Sequence, residues 1–311
     1  MNKNLDYVFS KFPQGLQRAL SNLPDTIKDA MEEIRIKVNG AVTIYASGKE
    51  YFLHQDNRFR ENSENMRITS KEEVLGIFNS VLNYSVYAYE DELSNGYVTI
   101  QGGHRVGICG KAVIQDGKVR TIKNISSLNI RRSREIIGIS EKYIQYILRD
   151  NKSIYNTLIV SPPKCGKTTL LRDLIRNLSM RGFKVGVIDE RSEIAGMHEG
   201  IMQNDLGIRT DILDGCPKDK GMIMMIRSMS PDIIATDEIG KEEDVYAVEC
   251  ALNAGINLIT TIHGYTYEDL MNSNIKKLIS KKIFNRIIIL SNIPTTGCVK
   301  KIINSNNQLI I

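Results

Sequence analysis

The chain has 311 residues, 42% of them hydrophobic and 25% charged, with a net charge of +5. That length and composition fit a soluble globular protein with room for two cores, and the mild positive charge does not by itself argue for nucleic acid. No apolar run nears membrane-spanning length, Met1 to Asp6 lack a signal-peptide centre, and five scattered cysteines without C-x-x-C spacing argue for reduced thiols in a cytoplasm and against structural zinc.

Residues 1–138 read as a smaller α+β N-terminal domain. The periodicity predicts an amphipathic helix over 14–32, then strands at Glu33–Val38 and Val42–Ala46. Ser70-Lys71-Glu72-Glu73 is a capping box that opens a helix through Val74, Ile77, Phe78 and Val81. A glycine-rich β region follows: Tyr97–Gln101, then Gly102-Gly103, then His104–Ile108. Asp116-Gly117 marks a two-residue hairpin turn between Ala112–Ile114 and Val119–Ile122. Another apolar run, Leu128-Asn129-Ile130, ends in Arg131-Arg132.

Residues 139–311 read as a second, α/β domain with a mostly parallel sheet. A helix and polar connector are expected over 139–156, leading into a buried strand at Leu158-Ile159-Val160. Further strands are expected at Lys184–Asp189, Ile233–Asp237, Ile256–Ile262 and Arg286–Leu290. A helix, Glu243–Ala254, is closed by Gly255. The tail, Ile302–Ile311, either adds one edge strand or frays. Asn204–Arg227 reads as a long polar loop that moves or meets a partner. Met222, Met224, Met225 and Met229 read as a core stripe.

The chemistry concentrates after two of these strands. Ser161-Pro162-Pro163-Lys164-Cys165-Gly166-Lys167-Thr168-Thr169 follows one strand and opens a helix whose inner face carries Leu170, Leu171, Leu174, Ile175 and Leu178. Strand, tight loop and helix are the setting of a phosphate-binding loop, in which backbone N–H groups and the helix N-terminus face the anion. Lys167 is then placed to reach the β and γ phosphates of ATP, and Thr168 to offer its hydroxyl to Mg²⁺. The usual first glycine of the motif is Ser161 here. Cys165 reads as a small filler within the loop. The second site is Pro231-Asp232-Ile233-Ile234-Ala235-Thr236-Asp237-Glu238, an apolar strand delivering two acids to a sheet edge. Asp237 is the candidate Mg²⁺ ligand, and Glu238 the residue that polarises the attacking water. Asp189, Glu190 and Glu193 gather after another strand. Thr260-Thr261-Ile262-His263 ends the next, where His263 can sense the γ-phosphate.

Together these motifs resemble the stage III sporulation protein AA family of the type II/IV secretion ATPase superfamily. Nearly the whole chain takes part. The carrying segments are Gly96-Tyr97 through Gly107, Pro162 through Asp173, Arg209-Thr210-Asp211, Cys216-Pro217-Lys218, Gly221-Met222, Arg227-Ser228-Met229 and Asp237-Glu238-Ile239-Gly240. The resemblance implies a RecA-like P-loop ATPase that works as a homo-oligomer, a hexameric ring. It implies a place on the mother-cell side of an endospore-former, in the cytoplasm and peripheral to a membrane complex. There it would power or assemble membrane channel proteins of a sporulation transport complex, with no transmembrane segment of its own. In that superfamily Asp189, Glu190 and Glu193 match an acidic box next to the nucleotide, and His263 a histidine box. Arg105 and Arg131 best match the arginines supplied from the N-terminal domain, with Arg209 and Arg227 as rivals. The superfamily's usual Gly-Glu pair is Asp237-Glu238 here.

Two other readings share the same core. Asp237-Glu238-Ile239-Gly240 fits the D-x-x-G of a GTPase-like switch, but no N-K-x-D guanine-reading motif accompanies it. A nucleic-acid motor is weakly supported by Arg131-Arg132, but the chain has no tryptophan and no aromatic-basic stripe, so no DNA partner is expected.

Overall fold

A computed structural model describes residues 5–293 and 295–311. The chain divides into two compact units. One takes in the chain up to Arg134 together with His198–Gln203; the other holds Glu135–Met197 and Asn204–Ile311.

The first unit starts with helices α1 (Leu5–Ser10), α2 (Gln14–Ser21) and α3 (Asp25–Ala30). The single helix expected over 14–32 is in fact two. Pro24 is the N-cap of α3 and cannot continue α2, and the chain turns into a strand at Met31. Strands β1 (Met31–Lys37), β2 (Thr43–Ala46), β3 (Lys49–Leu53) and β4 (Phe59–Arg60) follow, then helices α4 (Lys71–Val81) and α5 (Glu90–Ser94). The capping box of α4 is formed on both sides: Glu73 N–H donates to Ser70 Oγ at 3.2 Å, and Ser70 N–H to Glu73 Oε2 at 3.0 Å. Strands β5 (Tyr97–Ile100), β6 (His104–Gln115) and β7 (Lys118–Arg131) complete an antiparallel sheet in the order β4-β3-β2-β1-β7-β6-β5. Alternation along β1 buries Met31, Ile34 and Ile36 against the helices and leaves Glu32, Arg35 and Lys37 outside. The β6–β7 turn is at Asp116-Gly117, both at positive φ (51° and 73°), as a two-residue hairpin demands.

The second unit opens with the helix expected over 139–156, a short one, α6 (Ile144–Ile147), before the connector into the next strand. Strand β8 (Thr157–Ser161) leads through the Lys167 loop into α7 (Lys167–Met180). Then come β9 (Val185–Asp189), β10 (Thr210–Asp214), α8 (Lys218–Ser228), β11 (Ile233–Thr236), α9 (Glu242–Asn253), β12 (Asn257–His263), α10 (Tyr267–Met271), α11 (Lys276–Ser280), β13 (Arg286–Ser291) and β14 (Cys298–Ile303). The order is β10-β9-β11-β12-β8-β13-β14, parallel except for the antiparallel β14 at the edge. Strands β8, β9 and β11 are buried at every residue, as a sheet covered on both faces requires. Helix α7 packs Leu170, Leu171, Leu174, Ile175 and Leu178 into the core on one face.

Two expectations fail here. Asn204–Arg227 is not one long loop. Thr210–Asp214 pairs with β9 as an edge strand, and Lys218–Ser228 is helix α8. The residues that make this packing possible are glycines: a Cβ on Gly221 would sit 2.7 Å from Ile188, so α8 lies tight on β9 only because position 221 lacks one. The methionine stripe is only half core. Met222 and Met225 are buried, while Met224 and Met229 face solvent because the spacing carries them around the helix.

Candidate functional site

The carboxyl ends of β8, β9, β11 and β12 all lie on one edge of the parallel sheet, so the loops after them converge. Ser161, where the loop motif usually has glycine, is the last residue of β8, fully buried and in register with His263 of β12. Its φ is not positive, so a side chain is tolerated there. The left-handed positions of this loop are Lys164 (φ 61°) and Gly166 (φ 80°), and Gly166 starts the helix with no side-chain cap. The first turn of α7 therefore presents uncapped backbone donors beside Lys167.

Lys167 is 6% exposed, and burial pulls its ammonium below the usual lysine range against the opposing charges of Glu238, Asp237 and Glu193. Its Nζ lies 2.7 Å from Nδ1 of His263, and His263 Nε2 lies 2.6 Å from Oε1 of Glu238. An ammonium only donates, so Nδ1 accepts and the imidazole proton sits on Nε2, facing the carboxylate. The second Glu238 oxygen accepts from Arg191 at 3.0 Å. Glu238 N–H donates to Thr261 Oγ1 at 2.9 Å, and Glu238 holds φ at 39°, a left-handed value that aims its side chain at this chain of contacts. The run Lys167–His263–Glu238–Arg191 thus ties the loop after β8 to the loops after β9, β11 and β12.

Among the described residues of the unit, Asp237 is the least satisfied group. It is 1% exposed, and neither carboxylate oxygen has a hydrogen-bond partner. Burial pushes its pKa to about 7, with help from the negative charges of Asp189, Glu193 and Glu238 and against Lys218. Thr260 Oγ1 on the neighbouring strand is likewise buried without a partner. A buried carboxylate left bare is costly unless a cation arrives. With hydroxyl and carboxylate oxygens as the donor set, the residues fit Mg²⁺, which takes one or two carboxylates and completes its shell with phosphate and water.

The acidic group after β9 divides its labour. Asp189 is fully buried and accepts from three backbone N–H groups, those of Glu193, Ile194 and Ala195, at 2.8–2.9 Å. Its carboxylate folds the loop. Burial pushes its pKa up, and those amides with Arg172 oppose the rise. Glu190 pairs with Lys218, which is 5% exposed, and with Lys241 at 3.6 Å. Although burial pushes its carboxyl up, these cations hold it below the usual range. Glu193 is partly buried, and its backbone carbonyl accepts from Arg172. Arg191 and Lys218 are the residues that motif reasoning left without a role. Lys218 was visible as part of Cys216-Pro217-Lys218, but its partner lies 28 positions away.

Arg105 and Arg131 belong to the first unit, where they stand opposite each other on β6 and β7. Arg105 lies over the Tyr97 ring at 3.9 Å, and Arg131 is 3.9 Å from Glu33. Arg209 bonds to Ser179 O at 3.2 Å, and Arg227 is exposed in the last turn of α8.

The family model described as sporulation stage III, protein AA matches residues 7–310. Stage III sporulation protein AA of Bacillus subtilis (strain 168) is 40% identical over 304 residues, covering 96% of this chain and 94% of that protein. Among solved structures, the pilus retraction motor PilT with bound ADP aligns with a TM-score of 0.59 at 17% identity, over 92% of this chain and 81% of that one. The Legionella pneumophila ATPase DotB aligns with a TM-score of 0.54 at 16% identity, over 91% and 75%. Those likenesses are of fold, an α/β, RecA-like architecture. No helix of the described residues is long and apolar enough to cross a membrane. The chain belongs to the sporulation stage III protein AA family, and its fold is the one seen in PilT and DotB.

Proposed function

We propose that this chain hydrolyses ATP with Mg²⁺ and works as a ring, a hexamer, that powers or assembles a transport complex between mother cell and forespore. The observation that carries this reading is the meeting of Lys167, His263 and Glu238 at the sheet edge, beside a buried Asp237 carboxylate with no partner. The loop from Ser161 through Thr169 binds the phosphates with backbone N–H groups, and Lys167 leaves His263 to reach their oxygens. Asp237 and Thr168 hold the Mg²⁺, whose chemistry is to neutralise charge on phosphoryl oxygens. Glu238 orients the attacking water, and His263, bonded between Lys167 and Glu238, reports whether the γ-phosphate is in place. Glu190 and Glu193 flank this site, and Asp189 acts on it through the loop it folds and through its charge next to Asp237. Arg105 or Arg131 of a neighbouring copy completes the site, which makes an isolated chain slow. We place the protein in the mother-cell cytoplasm, at the surface of a membrane complex whose channel proteins are its partners.

The test is ATP turnover per subunit against protein concentration, for the natural chain and for Glu238→Gln. The reading expects the rate per subunit to rise with concentration, and the variant to bind ATP without turning it over. Full turnover by Glu238→Gln removes Glu238 from that role.

A further inference from the structure

The β6–β7 hairpin runs well past the rest of its sheet. From Cys109 to Asn124 every residue except Val113, Thr121 and Ile122 is exposed, and the strands pair there only with each other. An isolated two-stranded ribbon is marginal in water. This one has two further liabilities. Lys111 and Lys123 stand directly opposite one another, a like-charge pair that disfavours the ribbon. Ile114 and Val119 also pair near the tip, with Ile114 61% exposed. The arm holds four cations (Lys111, Lys118, Arg120, Lys123) against one acid, Asp116. Arg120 donates within the arm itself, to Gln115 Oε1 at 2.8 Å. Both liabilities vanish if an acidic and apolar surface covers the arm.

The same unit displays such a surface elsewhere. After α4 the chain reaches Asn83 and Tyr84 at φ 48° and 61°, left-handed values that are unfavourable for a tyrosine. The strain leaves Tyr84 80% exposed, and Tyr87 follows at 87%. Glu90, Asp91 and Glu92 come next, in the first turn of α5, and they form no ion pair among the described residues. A strained backbone that turns aromatics outward beside unpaired acids marks a contact surface.

We propose that the Lys111–Lys123 arm of one copy docks on the Tyr84–Glu92 segment of the next, its cations against the acids and tyrosine rings and its Ile114–Val119 tip against the apolar side chains. Arm and patch are different surfaces of one chain, so the contact is head-to-tail, the kind that closes into a ring. This deepens the ring reading given above and rests on it. Each copy gives one arm and takes one, so a modest contact is repeated around the assembly.

The experiment is light scattering of the full chain over a concentration series with ATP and Mg²⁺. It compares the natural sequence with an arm variant (Lys111→Glu, Lys118→Glu, Lys123→Glu), a patch variant (Glu90→Lys, Asp91→Lys, Glu92→Lys) and the two combined. Each single variant is expected to raise the half-assembly concentration about tenfold or more, and the combination to bring it back. Tyr84→Gly separates contact from folding: relief of the left-handed strain raises the melting temperature while assembly weakens. Normal assembly by the arm variant overturns the contact and leaves the ring standing. A natural chain that stays single at all concentrations ends the ring reading itself. Loss of binding to anionic lipid vesicles by the arm variant, with assembly intact, gives the arm to a membrane surface and also overturns the proposal.

Discussion

Among the described residues, two seven-stranded sheets handle polarity in opposite ways. The second is parallel except for β14, and its strands β8, β9 and β11 are buried on both faces, which leaves them little room for chemistry along their length. Its polar groups are forced to the carboxyl edge, where Lys167, Asp237, Glu238 and His263 meet. The first sheet is antiparallel, buries one face under helices and leaves the other in water. Its polar groups spread along the strands and out onto an arm. A covered parallel sheet concentrates function at a point, whereas a half-covered antiparallel sheet spreads it over a surface.

That contrast can be broken by substitutions of similar size in the two sheets. The largest effect is expected at the concentrated edge: Lys167→Ala should lower ATP turnover about 10²–10³-fold, read by phosphate release. The same truncation at Lys111 on the arm should leave turnover per assembled subunit unchanged. Next in size is the core that holds the edge in place. Leu174 is fully buried on α7, and Leu174→Ala should cost about 2–5 kcal/mol in a denaturant melt. Val119→Ser on the arm should stay within about 0.5 kcal/mol. Equal losses at the two positions would mean that the arm is packed after all.

A third effect depends on pH. Asp237 releases its proton near pH 7 in the folded chain and near 3.8 when unfolded. Between those values the folded state holds the extra proton, so stability falls as pH rises through that window. Removal of the charge in Asp237→Asn should therefore raise the melting temperature at pH 8, by the equivalent of a few kcal/mol at most, and the gain should vanish near pH 4. A variant less stable than the natural chain at pH 8 would show that the carboxylate is satisfied. The smallest effect is expected at Ser161. Because its backbone is an ordinary strand end, Ser161→Gly should lose about 0.5–1 kcal/mol of stability and gain no turnover.

Much of this was legible in the residues. The burial of Leu170, Leu171, Leu174, Ile175 and Leu178 follows from their helical spacing, and the turn at Asp116-Gly117 from its chemistry. The capping box at Ser70 was local as well. What local pattern missed depended on distant partners. Thr210–Asp214 looks polar, and it becomes a strand only because β9 lies beside it. The helix expected over 14–32 overlooked the force of Pro24. At the site, residue types after each strand pointed to the edge, but no spacing could reveal that Asp189 faces three amides of its own loop or that Arg191 reaches Glu238. Those contacts exist only once the strand order is set.

In the proposed function the Lys167 loop and the Asp237 carboxylate close on one magnesium-bound triphosphate. This closure is tested most directly by measuring ATP affinity with and without Mg²⁺ in the natural chain and in Asp237→Asn. Mg²⁺ is expected to tighten ATP binding by the natural chain and to make little difference to the variant. An equal gain from Mg²⁺ in both would contradict that closure.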